Sequence, residues 1–207
     1  MELLRKIIFT ATIICFTAFV SKAQTAEQMI KGFKDSYASE YKGDYNGAIS
    51  NLQKVYRADS YECNLRMGWL QYSAKKYASA MDFYQKAIDL KKYSVEARIG
   101  YIAPANAAKQ YDKAYQKYEE ILKIDPYNST ANYWVGVAYY TLKNYQTAAK
   151  YFELLVNMLP FDYDSNHMLG WTYLSLGRAG EAKLMFEKAL LNRPDDASAK
   201  DGLAKSK

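Results

Sequence analysis

His167 is the one histidine in 207 residues. An imidazole can serve as base, acid or metal ligand, but each role needs other groups converging on it. No such cluster stands around it in the sequence. The run Asp162-x-Asp164-x-Asn166 imitates the start of a calcium loop, yet His167 replaces the sharp-turn glycine and Tyr173 the closing glutamate. It reads more simply as a segment leading into a helix. No HExxH, CxxC, GxSxG or phosphate-binding loop occurs. Cys63 is the one thiol beyond the N-terminal segment and reads as a small core residue, so stability must come from packing, not from an internal disulfide. The chain is expected to be non-enzymatic, with no catalytic residue, no metal and no cofactor.

With reactive groups absent, spacing becomes the signal. Pro126, Pro160 and Pro194 lie 34 residues apart, and Ala80, Ala114, Ala148 and Ala182 keep the same step. The clearest copy holds Leu169-Gly170-x-x-Tyr173, Gly177, Ala182-x-x-x-Phe186, Ala189 and Pro194. The copy before it holds Val135-Gly136-x-x-Tyr139, Tyr145, Ala148-x-x-x-Phe152, Leu155 and Pro160. Small residues at Gly136 and Gly170 and at Ala148 and Ala182 let two helices of one unit approach closely, and Phe152 and Phe186 fill the space left beside them. Each proline ends a second helix, because the residue before a proline is pushed out of helical geometry. Asn128-Ser129 and Asp164-Ser165 offer caps for the next helix.

These residues and their period resemble the tetratricopeptide repeat family, over nearly all of residues 24–207. The resemblance implies an all-α fold: a right-handed superhelical solenoid of about five helix–turn–helix repeats with a short C-terminal capping helix. The repeats fall at about 29–60, 61–92, 93–128, 129–162 and 163–196, and the cap at 197–207. The first copy is the most degenerate, with Ser36 where the glycine belongs. The second lacks the closing proline. In the third, Gly100 to Ala114 is 14 residues where Gly136 to Ala148 is 12, which predicts two added residues around the turn. Pro104 falls there too, and an interior proline costs about 3 kcal/mol or more, so this first helix is expected to stop or kink near Ala103.

In such arrays the first helix of each repeat lines a concave groove. Spacing from each glycine places Leu65, Arg66, Trp69 and Tyr72 on it in the second repeat and Arg98 and Tyr101 in the third. The fourth adds Tyr133, Trp134, Val137 and Tyr140, and the fifth His167, Trp171 and Leu174. The candidate partner-binding residues are therefore Arg66, Trp69, Tyr72, Arg98, Tyr101, Tyr133, Trp134, Tyr140, His167 and Trp171. Tyr and Trp give a large contact area for few rotors, suited to an extended peptide or a partner's helix. With 21 tyrosines in the chain, some of these rings are expected to serve packing alone. Some family members clamp a partner's terminal carboxylate with Lys and Asn four apart on a first helix. Here those pairs read Phe33/Tyr37, Leu65/Trp69, Ala97/Tyr101, Tyr133/Val137 and His167/Trp171, so that clamp is absent. The implied partner is a protein or peptide, with the alternative of a structural subunit of an envelope assembly docking by its ends or convex face.

The N-terminus reads as an address. Arg5 and Lys6 precede an uncharged stretch, Ile7 to Val20, and Ser21-Lys22-Ala23 suits a signal peptidase, so residues 1–23 are expected to be a cleaved signal peptide. Ile14 before Cys15 is too large for a lipidation site. This predicts export, periplasmic or secreted, without membrane insertion after cleavage; an uncleaved N-terminal anchor is the alternative. Removing three basic residues and one acid lowers the net charge from +6 to +4. The lysines are scattered or paired, which fits solvated helix surface and not a nucleic-acid site.

Overall fold

Ser60, Ser94, Asn128, Asp162 and Asp196 stand 34 residues apart, and each accepts a backbone N–H from the third residue of a helix. Such caps satisfy donors that the first helical turn leaves without an intrahelical partner. The cap before the fifth repeat is thus Asp162 and not the expected Asp164-Ser165. Asp162 sits at the non-helical boundary position, while Asp164 is already in the first turn.

The computed structural model describes residues 25–207. The expected signal segment lies outside them. The described residues hold eleven helices: α1 Ala26–Glu40, α2 Tyr45–Gln53, α3 Tyr61–Ser73, α4 Tyr77–Leu90, α5 Val95–Ala107, α6 Tyr111–Ile124, α7 Ser129–Thr141, α8 Tyr145–Met158, α9 Tyr163–Ser175, α10 Ala179–Asn192 and α11 Ala197–Lys205. They form two compact units that divide at Arg57 and Ala58. The first contains the hairpin α1–α2. There a β-carbon on Gly32 would stand 2.2 Å from a Val55 methyl, so the glycine admits the chain that follows α2.

The second unit stacks four hairpins, α3–α4 to α9–α10, and ends with α11, an all-helical solenoid as the repeat pattern predicts. Ala80, Ala114, Ala148 and Ala182 are buried at the hairpin contacts. Phe152, Phe186, Leu155 and Leu169 are among its largest fully buried side chains. Lys75, Lys109 and Lys143 take the left-handed backbone conformation after α3, α5 and α7, with φ of 60°, 59° and 58°; Gly177 takes it after α9. The tight turn between the helices of a hairpin requires that conformation, which glycine adopts without a steric penalty and lysine does not.

For the third repeat, the early stop and the added residues are overturned. α5 does not stop near Ala103; it runs to Ala107 with Pro104 buried inside it. Pro104 lies late in the helix, so its missing N–H forfeits a single bond, and the carbonyl its ring would crowd belongs to Gly100. The next turn is held by N–H bonds from Ala108 to the Pro104 carbonyl at 2.9 Å and from Gln110 to the Ala105 carbonyl at 2.8 Å. Nor are there two added residues. α5 and α6 begin as far apart in sequence as α7 and α8. The position of Gly68, Gly136 and Gly170 is filled here by Ile102, and Gly100 belongs to a different place in the repeat.

Candidate partner-binding site

Gly100 owes its size to the preceding repeat. The Tyr84 ring lies between Gly68 and Gly100, and a β-carbon on Gly100 would meet its Cε1 at 2.2 Å. Phe186 lies in the same way between Gly170 and Gly202, 2.2 Å from where a Gly202 β-carbon would be. Each ring locks its own hairpin onto the next first helix. Burial pushes the Tyr84 phenol well above its ordinary pKa.

This register decides which of the expected groove residues face outward. Trp69 is 45% exposed and Trp134 47% exposed. Trp69 packs against Tyr72 at 6.1 Å, and Tyr72 against Tyr77 at 6.1 Å. Trp134 meets Tyr133 edge-on at 5.4 Å and stacks on Tyr118 at 6.3 Å. Tyr133 also reaches Phe152, and Tyr140 packs on Tyr145 at 5.3 Å; both are half-buried.

Three expected groove residues turn inward. Arg66 is buried, and Arg98 and Tyr101 are each 8% exposed. For the last two the reason is the misread glycine. Counting from Ile102 and not from Gly100 puts Tyr101 at the core position of Met67, Val135 and Leu169. Arg98 falls at the position of Asn64, Asn132 and Asn166. The first-helix face of the third repeat is instead built of small residues, Gly100 and Ala103, with Asn106 beyond them.

The asparagines are functional in the fold and were missed as a set. Asn64 donates to the carbonyls of Ala58 and Ser60 at 2.9 and 2.7 Å; Asn132 donates to those of Pro126 and Asn128, both at 2.9 Å. Asn166 donates to Pro160 and Asp162 at 3.1 and 2.7 Å. Each amide fastens the loop before a first helix to that helix. Their spacing in phase with the prolines was the available signal. In the third repeat Arg98 does part of this work, donating to the Ser94 carbonyl at 2.9 Å and pairing with Glu120 at 2.9 Å.

His167 and Trp171 are held by the C-terminal helix. The Trp171 indole N–H donates to His167 Nε2 at 3.1 Å and lies 3.2 Å from Ser198 Oγ, which is itself 2.8 Å from His167 Nε2. An accepting Nε2 puts the imidazole proton on Nδ1 and leaves the ring neutral. Burial lowers the His167 pKa, against the opposing pull of Asp196 and Asp164. Tyr163 stacks on the imidazole at 5.3 Å, and Lys205 lies over Trp171 at 5.4 Å. Arg193 covers Tyr163 at 3.9 Å, whose phenol is pushed up to about 12 by burial and by its bond to Asp196.

A cleft of about 610 Å³ opens between α6 and α7, lined by Asn106, Tyr111, Asp112, Tyr115, Tyr118, Trp134, Val137 and Thr141 among others. A smaller depression of about 310 Å³ lies between α7 and α9, along Ser129, Thr130, Tyr133, Trp134, Asp162, Asp164 and Ser165. Among the described residues no group of three or more His, Cys, Asp or Glu side chains is arranged to hold a metal, and no helix is long and apolar enough to cross a membrane.

Comparison with known proteins accords with this architecture. Three family models, each described as a tetratricopeptide repeat, match residues 38–95, 105–164 and 163–196. No curated protein matches the sequence. Among solved structures the chain is similar to a MamA protein, 21% identical, covering 84% of this chain and 96% of that one with a TM-score of 0.68. It is also similar to a tetratricopeptide repeat protein from Parabacteroides merdae, 19% identical, covering 87% of this chain and 73% of that one with a TM-score of 0.72. At these identities the likeness is one of fold. The matched repeats, the caps in step and the stacked hairpins agree: the chain belongs to the tetratricopeptide repeat family, whose helical arrays serve as modules for protein–protein interaction.

Proposed function

We propose that this is an exported, non-enzymatic binding protein that holds a peptide or a segment of a partner protein along the aromatic face of its first helices. The observation that carries this reading is the exposure of Trp69 and Trp134, each near one half, on first helices whose opposite faces are buried in the core. A half-exposed indole beside other rings is an anchor awaiting a partner surface, since Trp and Tyr dominate the energetic centres of interfaces. His167 and Trp171 fit the reading less directly, because α11 already engages them. The aromatic face open to a partner then runs from Trp69 and Tyr72 to Trp134 and Tyr140. Export rests on the N-terminal segment alone. A pull-down from the native envelope or culture medium tests the proposal, wild type beside Trp69→Ala/Trp134→Ala, with folding checked by circular dichroism. A partner captured by the wild type and lost by the variant is the expected result; a partner kept by both overturns the assignment.

A second reading, a structural subunit that docks by its outer face or ends, is favoured by a different set of side chains. Phe161, Leu184 and Leu191 are exposed on or beside the second helices, and the Asn192 amide ties the Phe161 carbonyl to the end of α10 at 2.9 Å. Retention of the partner by the tryptophan variant and its loss on Phe161→Ser/Leu191→Ser would select this reading.

A further inference from the structure

Tyr118 occupies the place of Tyr84 and Phe186 in its own repeat, but neither glycine is there to receive it. Ile102 stands on one side and Trp134 on the other. Where glycine is present, the ring beds on the helix backbone. Here the indole stacks on Tyr118 at 6.3 Å, with 20° between the planes, and holds α7 away. The backbones of α3 and α5 approach one another, as do those of α7 and α9 and of α9 and α11, whereas no Cα of α5 lies within 8 Å of one in α7. The cleft of about 610 Å³ is the space so opened. It lies within the roughly 300–1,000 Å³ typical of ligand pockets.

Charge identifies the occupant. The whole chain carries 28 Lys and Arg against 22 Asp and Glu. Yet the two depressions that meet at Trp134 are lined by Asp112, Asp162 and Asp164 and by no lysine or arginine. Asp162 is committed to capping α9, while Asp164 stays about half exposed in a long ion pair with Arg193 at 3.9 Å, which leaves room for a second cation. Asp112 is exposed in the first turn of α6. The larger cleft is walled mostly by rings and aliphatic carbon, and the smaller depression adds the hydroxyls of Ser129, Thr130 and Ser165.

We propose that the joint between the third and fourth repeats is a two-part seat for an extended segment of a partner protein that is basic and apolar together. A large apolar side chain of that segment enters the cleft between Tyr118 and Trp134, and neighbouring Lys or Arg side chains reach Asp112 and Asp164. The inference rests on the first-helix face being a binding surface and names the chemistry of what it binds. The rings add to the preference for cations, since ammonium and guanidinium groups are attracted to aromatic faces.

The test is fluorescence anisotropy on the full chain with three short labelled synthetic peptides of equal length. One carries Phe flanked by Lys, the second Phe flanked by Glu, the third Ser flanked by Lys. The Phe–Lys peptide is expected to bind at least about tenfold tighter than the other two and to weaken as salt rises. Trp134→Ala should abolish that binding. Asp112→Asn and Asp164→Asn should each weaken it several-fold and flatten its salt dependence, and neither touches the Asp162 cap. Trp134→Leu, which keeps apolar bulk against Tyr118, serves if the alanine variant folds poorly. If the Phe–Glu peptide binds as tightly as Phe–Lys and both need Trp134, the basic partner is wrong while the binding face stands. If no peptide responds to Trp134, both readings fail. A self-association abolished by Trp134→Ala in sedimentation would make the occupant a second copy and overturn the proposal.

Discussion

The Tyr84 ring and the Gly100 backbone touch so closely that a β-carbon on Gly100 would stand 2.2 Å from the ring. This contact is the joint between the second and third repeats. Gly100→Val should therefore cost about 1–3 kcal/mol by overpacking, more than helix propensity can return. Gly180 faces open space within 4 Å, in the first turn of α10. Gly180→Ala should leave stability unchanged or raise it by up to about 1 kcal/mol. Chemical denaturation of the two variants checks the opposite signs.

The lysines with positive φ carry a backbone penalty in the native state. Lys75→Gly, Lys109→Gly and Lys143→Gly should each stabilise the chain by about 1 kcal/mol, because left-handed geometry costs L-residues roughly 1–2 kcal/mol and glycine gives back part of that as unfolded-state entropy. A rise in the denaturation midpoint for each, and a fall for Gly177→Lys, is the expected pattern.

Asn132 is almost wholly buried and gives both amide protons to backbone carbonyls. Asn132→Ala deprives the Pro126 carbonyl of this donor, while the Asn128 carbonyl keeps the backbone N–H of residue 132 at 3.0 Å, an expected loss of about 1 kcal/mol. Asn132→Asp should be worse, since it sets a buried carboxylate against two carbonyl oxygens. Thermal unfolding of the two variants orders them.

His167 must be neutral to accept from the Trp171 indole. Its pKa is lowered by burial in the folded chain, so below the ordinary histidine value, about 6.5, the unfolded state binds more protons than the folded one. Stability is then full above that pH and declines as pH falls through the depressed folded value. Unfolding measured at neutral and mildly acidic pH should show the decline in wild type. In His167→Gln, which keeps an acceptor and does not titrate, the decline should be smaller.

Most of the architecture was legible in the sequence because the period is strict: prolines, alanines and large rings fall in phase, and the helices follow them. What escaped was register within one repeat. A glycine marks close approach but does not say from which side, and Gly100, which admits the ring of the preceding repeat, was read as the glycine that admits its own. That error moved Arg98 and Tyr101 from the core to the groove and created an insertion that does not exist. The binding face was only partly legible for a related reason. Exposed and buried aromatics share one composition, and Trp171, at the repeat position of Val137, is engaged by α11, whereas Trp134, at that of Met168, stacks on Tyr118.

The five caps in step have a consequence for how such a chain can change. Cutting the polypeptide at any two of Ser60, Ser94, Asn128, Asp162 and Asp196 removes whole hairpins and leaves a helix start at the splice. A duplication or deletion of one such cassette preserves every cap, turn and loop fastening on either side. Array length can therefore drift between descendants with every helix start kept at the seam, wherever the ring of one hairpin still meets a fitting residue on the next helix, as Tyr84 meets Gly100, while the face made by Trp134 and Tyr118 travels intact as long as its two cassettes stay adjacent.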